Sequence, residues 1–464
     1  MKFSIKYIIA WVAALLFFTT SCDEQLEVPL PSDSFTREEA LKTKADLELL
    51  LNSAYDVFAN IYNGRSQVLS ALLADNIGNN FVDGNGFFRE VYNRNTNFFN
   101  SEIGTYYKDP YKAIARANVL IEVVESGSIP DLDDASASRM KGEGLFIRAV
   151  MHFNLIRMMA QPYGYSSDNS HPGIALKVSS AAEVLPRASV KEVYDQVLQD
   201  LNEAIAILPA ENGVYATSWA AKAFLARVYF QMNDFANAAK YAGEVIDGGQ
   251  FELENEVQGR FSQDISTEAI FTTVSPGNND NNAGEYTGKF RSDNAEPFLK
   301  PSGSIYEFIT ADAADKRSEW FEMKAYVDEG PEILVLNRYN DDFFNVAVIH
   351  LAEMLLTRAE ALAAQNQNLN QALADLNVVR TRAGLSALSS GMTAQELVEK
   401  VREERRKELL LEGDRIQQIK RIGALGETSV VRGAPWNCPG MVLQFPASEE
   451  LPGYFELNEK GGCQ

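Results

Sequence analysis

Residues Trp219 to Ile246 read WAAKAFLARVYFQMNDFANAAKYAGEVI. Apolar residues recur at three- and four-residue intervals on both sides of Met232-Asn233-Asp234. The stretch therefore predicts two amphipathic helices, Ser218 to Gln231 and Phe235 to Ile246, joined by a tight turn. Ala226 and Ala238 are small where two backbones must approach closely, and Tyr229 fills the gap towards a neighbouring pair. One such pair cannot bury its own apolar face, so several must stack.

Outward from this pair the helical period dominates. Leu41, Ala45, Leu49, Ala54 and Phe58 fall near helical spacing in Glu38 to Ile61. Tyr107 to Val124, Lys141 to Met159, Ser189 to Leu208, Val348 to Ala364, Asn370 to Arg382 and Thr393 to Leu411 read the same way. Strand signals are short, the better ones being Ile270 to Val274 and Ile333 to Leu336. The predicted fold class is mostly α. Leu225, Ala226, Tyr229, Phe235 and Ala238 match tetratricopeptide spacing. A second pair is visible in Val348 to Arg382, through Arg358-Ala359-Glu360-Ala361 and Ala372-Leu373. Helix pairs are thus expected near residues 107–160, 189–247 and 348–411.

Between the pairs lie long irregular stretches, Asp75 to Tyr106, Ser275 to Lys300 and Pro435 to Gln464. Loops of this length inside a compact domain are commonly functional, and their aromatic content argues against disorder. Sugar rings stack apolar C–H faces on flat aromatics, while their hydroxyls need polar partners. The candidate ligand-binding loops span residues 75–107 and 275–325. The candidate residues are Asp75, Asn76, Arg89, Tyr92, Tyr106, Tyr107, Tyr286, Arg291 and Trp320; Phe87, Phe88, Phe98 and Phe99 lie in the same stretch. For any one of these aromatics, burial as a loop anchor is the competing assignment. After the leader only Trp219, Trp320 and Trp436 remain, which leaves peptides or other glycans open beside starch-like polymers.

The N-terminus has the layout of a secretory leader. Lys2 and Lys6 precede the apolar run Tyr7 to Phe18, and Thr19-Thr20-Ser21 precede Cys22. A Cys directly after small residues predicts lipoprotein processing: residues 1–21 are removed and Cys22 becomes the acylated first residue. The usual motif has Leu three places before the Cys, where this chain has Thr19. Two or three acyl chains hold firmly, at about 0.8 kcal/mol per buried CH₂. Residues 22–35, with Pro29 and Pro31, read as a tether, and residues 36–464 as a single domain. No apolar run reaches the length of a conventional span.

The 464 residues carry a net charge of −22, and loss of Lys2 and Lys6 leaves 40 basic against 64 acidic residues, −24. Such a surface repels phosphate backbones, which excludes nucleic acid as a partner. With Cys22 lipidated, Cys438 and Cys463 remain, and outside the cytoplasm they are a candidate disulfide. The three His, His152, His171 and His350, fit no metal motif; packing or surface positions are the default for His152 and His350. No HExxH, GxSxG or Cys-rich spacing occurs. The loop 278–285 offers oxygens to Ca²⁺ but lacks EF-hand spacing, so no metal or cofactor is assigned. The charge run Glu403 to Arg415 fits a solvated helix face or pairs made within the fold.

The order of segments resembles the SusD/RagB family of Bacteroidota outer-membrane lipoproteins. Gly142 to Ala149 (GEGLFIRA) is similar to the family's GEARFLRA helix, and Arg187 to Tyr194 (RASVKEVY) to its RASVxEVY start. Ala220 to Met232 is similar to AAKALLARVYLxMG. Leu351 to Leu356, Arg358 to Ala361 and Leu376 to Leu385 match the late helices. Glu404 to Leu409 with Glu412 to Arg415 match ERRKELxxEGxR. The chain departs after Arg415, where the family places an aromatic and DLKR and this sequence has Ile416 to Arg421 (IQQIKR). Ser21 directly before Cys22 is common in such lipoproteins, and Asp23-Glu24 after it resemble their surface-export signal.

The resemblance implies a SusD-like α/α superhelix with a loop-rich, ligand-binding second lobe. It implies a non-enzymatic, surface-exposed lipoprotein that binds an oligosaccharide or peptide and passes it to a TonB-dependent SusC-like porin. A surface lipoprotein glycoside hydrolase and a tetratricopeptide-type adaptor are the alternatives. The absence of catalytic motifs weighs against the first, and the long aromatic loops against the second.

Overall fold

The computed structural model describes residues 36–277 and 280–463. The leader, Cys22 and the tether lie outside the described residues, as do the first two residues of the 278–285 loop. Among the described residues no helix is long and apolar enough to cross a membrane.

The N-terminal third carries α1 (Arg37–Ala40), α2 (Lys44–Tyr62), α3 (Arg65–Leu73), α4 (Phe87–Tyr92), α5 (Ser101–Ser126) and α6 (Asp134–Met159). Next come α7 (Val190–Ile207), α8 (Ser218–Gln231), α9 (Phe235–Asp247), α10 (Gly284–Phe290) and α11 (Gly303–Thr310). The late helices are α12 (Leu351–Ala364), α13 (Leu369–Arg382), α14 (Ala394–Glu408) and α15 (Asp414–Ala424). Capping boxes fix several starts. Thr43, Ser189 and Thr393 each accept from the third backbone N–H of their helix, and Asp46, Glu192 and Glu396 reach back.

The helices stack in series. α2 packs on α5, α5 on α6, α6 on α7, α7 on α8, α8 on α9, α9 on α12, and α12 on α13 and α14. This is the mostly α, tetratricopeptide-like superhelix expected from the sequence. Tyr229 and Tyr241 lie nearly parallel across the α8–α9 pair, with ring centroids 5.7 Å apart.

Several elements differ from the periodicity, and the stretch Glu38 to Ile61 is broken at Leu41–Thr43 into α1 and α2. Val348 to His350 are strand, because β6 (Val346–His350) pairs antiparallel with β3 (Ala269–Thr273) and α12 starts only at Leu351. α14 stops at Glu408, before Leu411 takes a positive φ of 61°. α3 carries no amphipathic signal because Ser66 to Leu73 are all buried, leaving no polar face to mark its period. The remaining strands are short: β1 (Pro172–Ala175) with β2 (Arg187–Ser189), β4 (Phe321–Lys324) with β5 (Ile333–Leu336), and β7 (Val430–Val431) with β8 (Ala434–Pro435).

The charge run on α14 is paired within the fold. Arg260 meets Glu408 at 2.7 Å and Glu412 at 2.6 Å, Arg317 meets Asp315 at 2.8 Å and Glu404 at 2.7 Å, and Arg382 meets Glu408 at 2.5 Å. Arg260, Arg317 and Glu408 are wholly buried. Burial alone would raise Glu408, but Arg382, Arg260 and Arg317 together hold its carboxyl far below the usual range. His152 is also fully buried, accepts from the Lys177 backbone N–H at 3.3 Å, and is pushed by burial down to about 3. It is a packed core histidine.

Lys420 is a buried charge of another kind. It is fully buried, and its Nζ donates to the Arg157 carbonyl at 3.1 Å. Burial first, and then the Arg157 charge, push it down to about 7. Between about pH 7 and 10.5 the unfolded chain holds a proton that the folded chain sheds, so stability rises with pH across that window. Below it the full cost applies. Lys420→Met should raise the unfolding free energy near neutral pH by on the order of a few kcal/mol and flatten the dependence above it. Urea unfolding at about pH 6.5 and 9.5 measures both. Equal slopes in the two proteins would contradict the account.

Candidate ligand-binding surface

The two loop regions singled out in the sequence meet in space. Asp75, just after α3, accepts from Arg415 at 2.9 and 3.0 Å and from Arg406 at 3.1 Å, which ties the start of the first loop to α14 and α15. The backbones then join. Gly78 N–H donates to the Lys300 carbonyl at 3.0 Å, Ser302 N–H donates to the Asn76 carbonyl at 2.8 Å, and Ile77 bridges Pro301.

Above this seam lies an aromatic floor. Phe81 has ring centroids 5.6 Å from Tyr92 and 5.8 Å from Phe298, and Phe88 lies 5.4 Å from Phe298. Cations cover it: Arg89 sits 3.9 Å over Phe81, Lys289 4.9 Å over Phe88, and Arg432 3.9 Å over Tyr92. Arg89 also donates to the Asn79 carbonyl at 3.0 Å and to the Phe81 carbonyl, while its own backbone N–H donates to Asp83 at 2.9 Å. It therefore shapes the loop that carries it.

The outer rim presents Asn79, Asn80, Val82 and Asn85, all exposed. Further along the same loop, Phe98 and Phe99 stand together with ring centroids 4.5 Å apart. Phe99 is 74% exposed, an unusual position for a bare aromatic ring. The C-terminal segment holds this end of the loop. Arg94 donates to the Val431 carbonyl at 2.8 Å, Gln444 N–H to Thr96 Oγ1 at 3.0 Å, and Ala447 N–H to the Phe98 carbonyl at 3.0 Å. Gly440 packs so closely that a Cβ there would lie 1.9 Å from the Arg94 carbonyl oxygen. Cys438 and Cys463 are joined in a disulfide that closes this segment.

The sequence candidates divide by position. Asp75 and Asn76 form the clamp, Arg89 and Tyr92 belong to the floor, and Arg291 stands at the edge, paired with Asp293 and Asp342 at 2.6 Å each. Tyr106, Tyr107, Tyr286 and Trp320 are instead buried. Tyr106 bonds Asn154, Tyr107 bonds Glu449 at 3.1 Å, and Tyr286 bonds the Leu411 carbonyl at 3.1 Å and stacks on Tyr339. Trp320 lies under Arg338 at 4.4 Å. These four are turned inward, Tyr106 and Tyr107 from α5, Tyr286 from α10 and Trp320 from the turn before β4.

Phe81, Lys300 and Arg432 were not among the sequence candidates. Arg432 comes from the far end of the chain, and nothing local marks its approach to Tyr92. In the 278–285 loop, Asn281 and Asn282 spend their side-chain amides on the Asp342 and Val274 carbonyls. Among the described residues no group of three or more His, Cys, Asp or Glu side chains is arranged to hold a metal. The surface can offer ring faces for C–H stacking and side-chain amides for hydroxyls.

Comparison with known proteins gives this architecture its relatives. Residues 30–230 match a family described as starch-binding and associating with the outer membrane, and residues 224–450 match the SusD family. The chain is 26% identical over 474 residues to SusD-like protein P2 of Formosa agariphila, covering 90% of each. It is 26% identical over 455 residues to SusD-like protein P38 of the same organism, covering 85% of this chain and 87% of that one. Among solved structures it resembles a SusD superfamily protein from Bacteroides thetaiotaomicron, with a TM-score of 0.78 and 22% identity over 90% of this chain and 100% of the other. A laminarin-binding SusD-like protein aligns with a TM-score of 0.71 and 22% identity over 90% of this chain and 99% of the other. With the matched segments together spanning residues 30–450, the chain belongs to the SusD/RagB family.

Proposed function

We propose that this protein is a surface-exposed outer-membrane lipoprotein, anchored through Cys22, that binds an oligosaccharide without cleaving it and passes it to a TonB-dependent SusC-like porin. The observation that carries the binding role is the exposed Phe98–Phe99 pair, carried on the same stretch of chain as the exposed Asn79, Asn80 and Asn85. Flat rings and amides are what a sugar's apolar face and hydroxyls require. The family description names starch binding and the outer membrane, and one neighbour in fold binds laminarin. The leader and Cys22 support the anchor.

Calorimetric titration against a panel of starch, laminarin and other glycan oligosaccharides, with products followed in parallel, tests the reading. One of them should bind without turnover, and Phe99→Ala should weaken that binding roughly tenfold, since an aromatic contact is worth about 1 kcal/mol beyond its buried area. Turnover, or a Phe98→Ala, Phe99→Ala double variant that binds as tightly as the parent, would sink it. In cells, Cys22→Ala should leave the membrane fraction and still bind.

A further inference from the structure

A small chamber lies where the helical stack meets the late segments. Its volume is about 40 Å³. Five side-chain polar atoms on its lining residues are buried and have no protein partner: Tyr62 Oη, Gln67 Oε1, Arg157 Nε, His350 Nδ1 and Gln417 Oε1. They come from five different elements, α2, α3, α6, β6 and α15. Tyr62, Gln67, His350 and Gln417 are each 5% exposed or less. Leaving so many buried polar atoms unpaired at one place is costly, and native interiors avoid it.

The charges around the chamber indicate what can enter. Arg157, Arg227 and Arg405 are balanced by Glu353, Glu412 and Asp414. Arg227 lies 2.5 Å from Glu353, and Arg405 lies 2.8 Å from Asp414. An anion would meet the carboxylates, and a cation would meet Arg157. The unpaired set is mixed: a hydroxyl and a guanidinium N–H to donate, two amide oxygens to accept, and one imidazole nitrogen. Only a small neutral molecule that both donates and accepts answers all five.

We propose that the chamber binds a resident cluster of about three water molecules, each filling roughly 10–15 Å³ of the space open to a water centre. The cluster joins α2, α3 and α6 to β6 and α15 by hydrogen bonds that the side chains cannot make directly. A high-resolution crystal structure of the mature chain grown in sodium bromide tests this. Ordered waters should appear within hydrogen-bond distance of Tyr62, Gln67 and Gln417. An anomalous bromide peak in the chamber, or no density there, would overturn the proposal. In solution, oxygen-17 relaxation dispersion should count long-lived waters, and Gln417→Met should lower that count by at least one. An unchanged count in a folded variant would also overturn it.

Discussion

Glu408→Gln should lower the unfolding free energy by about 3–5 kcal/mol, the cost of breaking a buried ion pair from one side. Gln keeps the shape and removes the charge, so packing is not at issue. What remains is Arg260, Arg317 and Arg382 within reach of one lost carboxylate, with side chains 0%, 0% and 6% exposed. Arg380 and Lys407 also draw on Glu404 and Asp315, so without Glu408 five cations face only four carboxylates, Glu268, Glu404, Glu412 and Asp315. The surface pair Lys400–Glu403 on the same helix is the control, with both side chains about half exposed. Its loss should change stability by less than about 1 kcal/mol. Urea unfolding of both variants decides the matter, and a Glu408→Gln cost no larger than the control's would refute the hub. The pH dependence adds a second readout. Because the folded carboxyl titrates far below the unfolded one, its contribution is complete above the unfolded value of about 4.3 and disappears as pH falls below it. The variant should lose that part of the acid limb.

Replacing both Cys438 and Cys463 by Ser should cost about 3.5 kcal/mol, the chain-entropy estimate for a loop closed over 25 residues. The clasped segment also supports residues 96–98 through the Gln444 and Ala447 contacts. The double variant should therefore weaken ligand binding as well as stability, through looser placement of Phe98 and Phe99. Titration of the unfolded, non-reduced chain lacking Cys22 should find no free thiol. Two titratable thiols would show that the pair is not formed. Reduced stability with unchanged binding would confine the disulfide's role to the fold.

Elements with one polar and one apolar face were legible in the sequence. Ser218 to Gln231 has the same bounds read either way, because its pattern and its Thr217 cap agree. α3 was not legible, being buried on every side, and neither was the change from β6 to α12 at Leu351, since strand pairing with β3 is a long-range fact. The candidate ligand-binding loops could be picked out as long, aromatic-rich regions. Which of their rings face outward could not, because the deciding contacts come from distant residues. Tyr286 and Phe99 look alike in sequence, both aromatics in Asn- and Gly-rich stretches. Tyr339 and Leu411 cover the first, and nothing covers most of the second.

The contacts between Arg94 and Val431, Asp75 and Arg415, and Met158 and Leu443 span much of the chain, the first over 337 residues. This sets a timetable for biogenesis. Whatever the order in which the chain is delivered to the site of folding, Val431 follows Arg94 by 337 residues. Until those distant segments meet, the first loop lacks the partners that hold it, while the stacked helices have local neighbours and can form. Non-local closure of this kind is slow, so the newly made chain passes through a stage with formed helices and an open loop lobe. That stage, rather than the finished fold, is the one in which unpaired loop backbone and uncovered rings are open to misassociation.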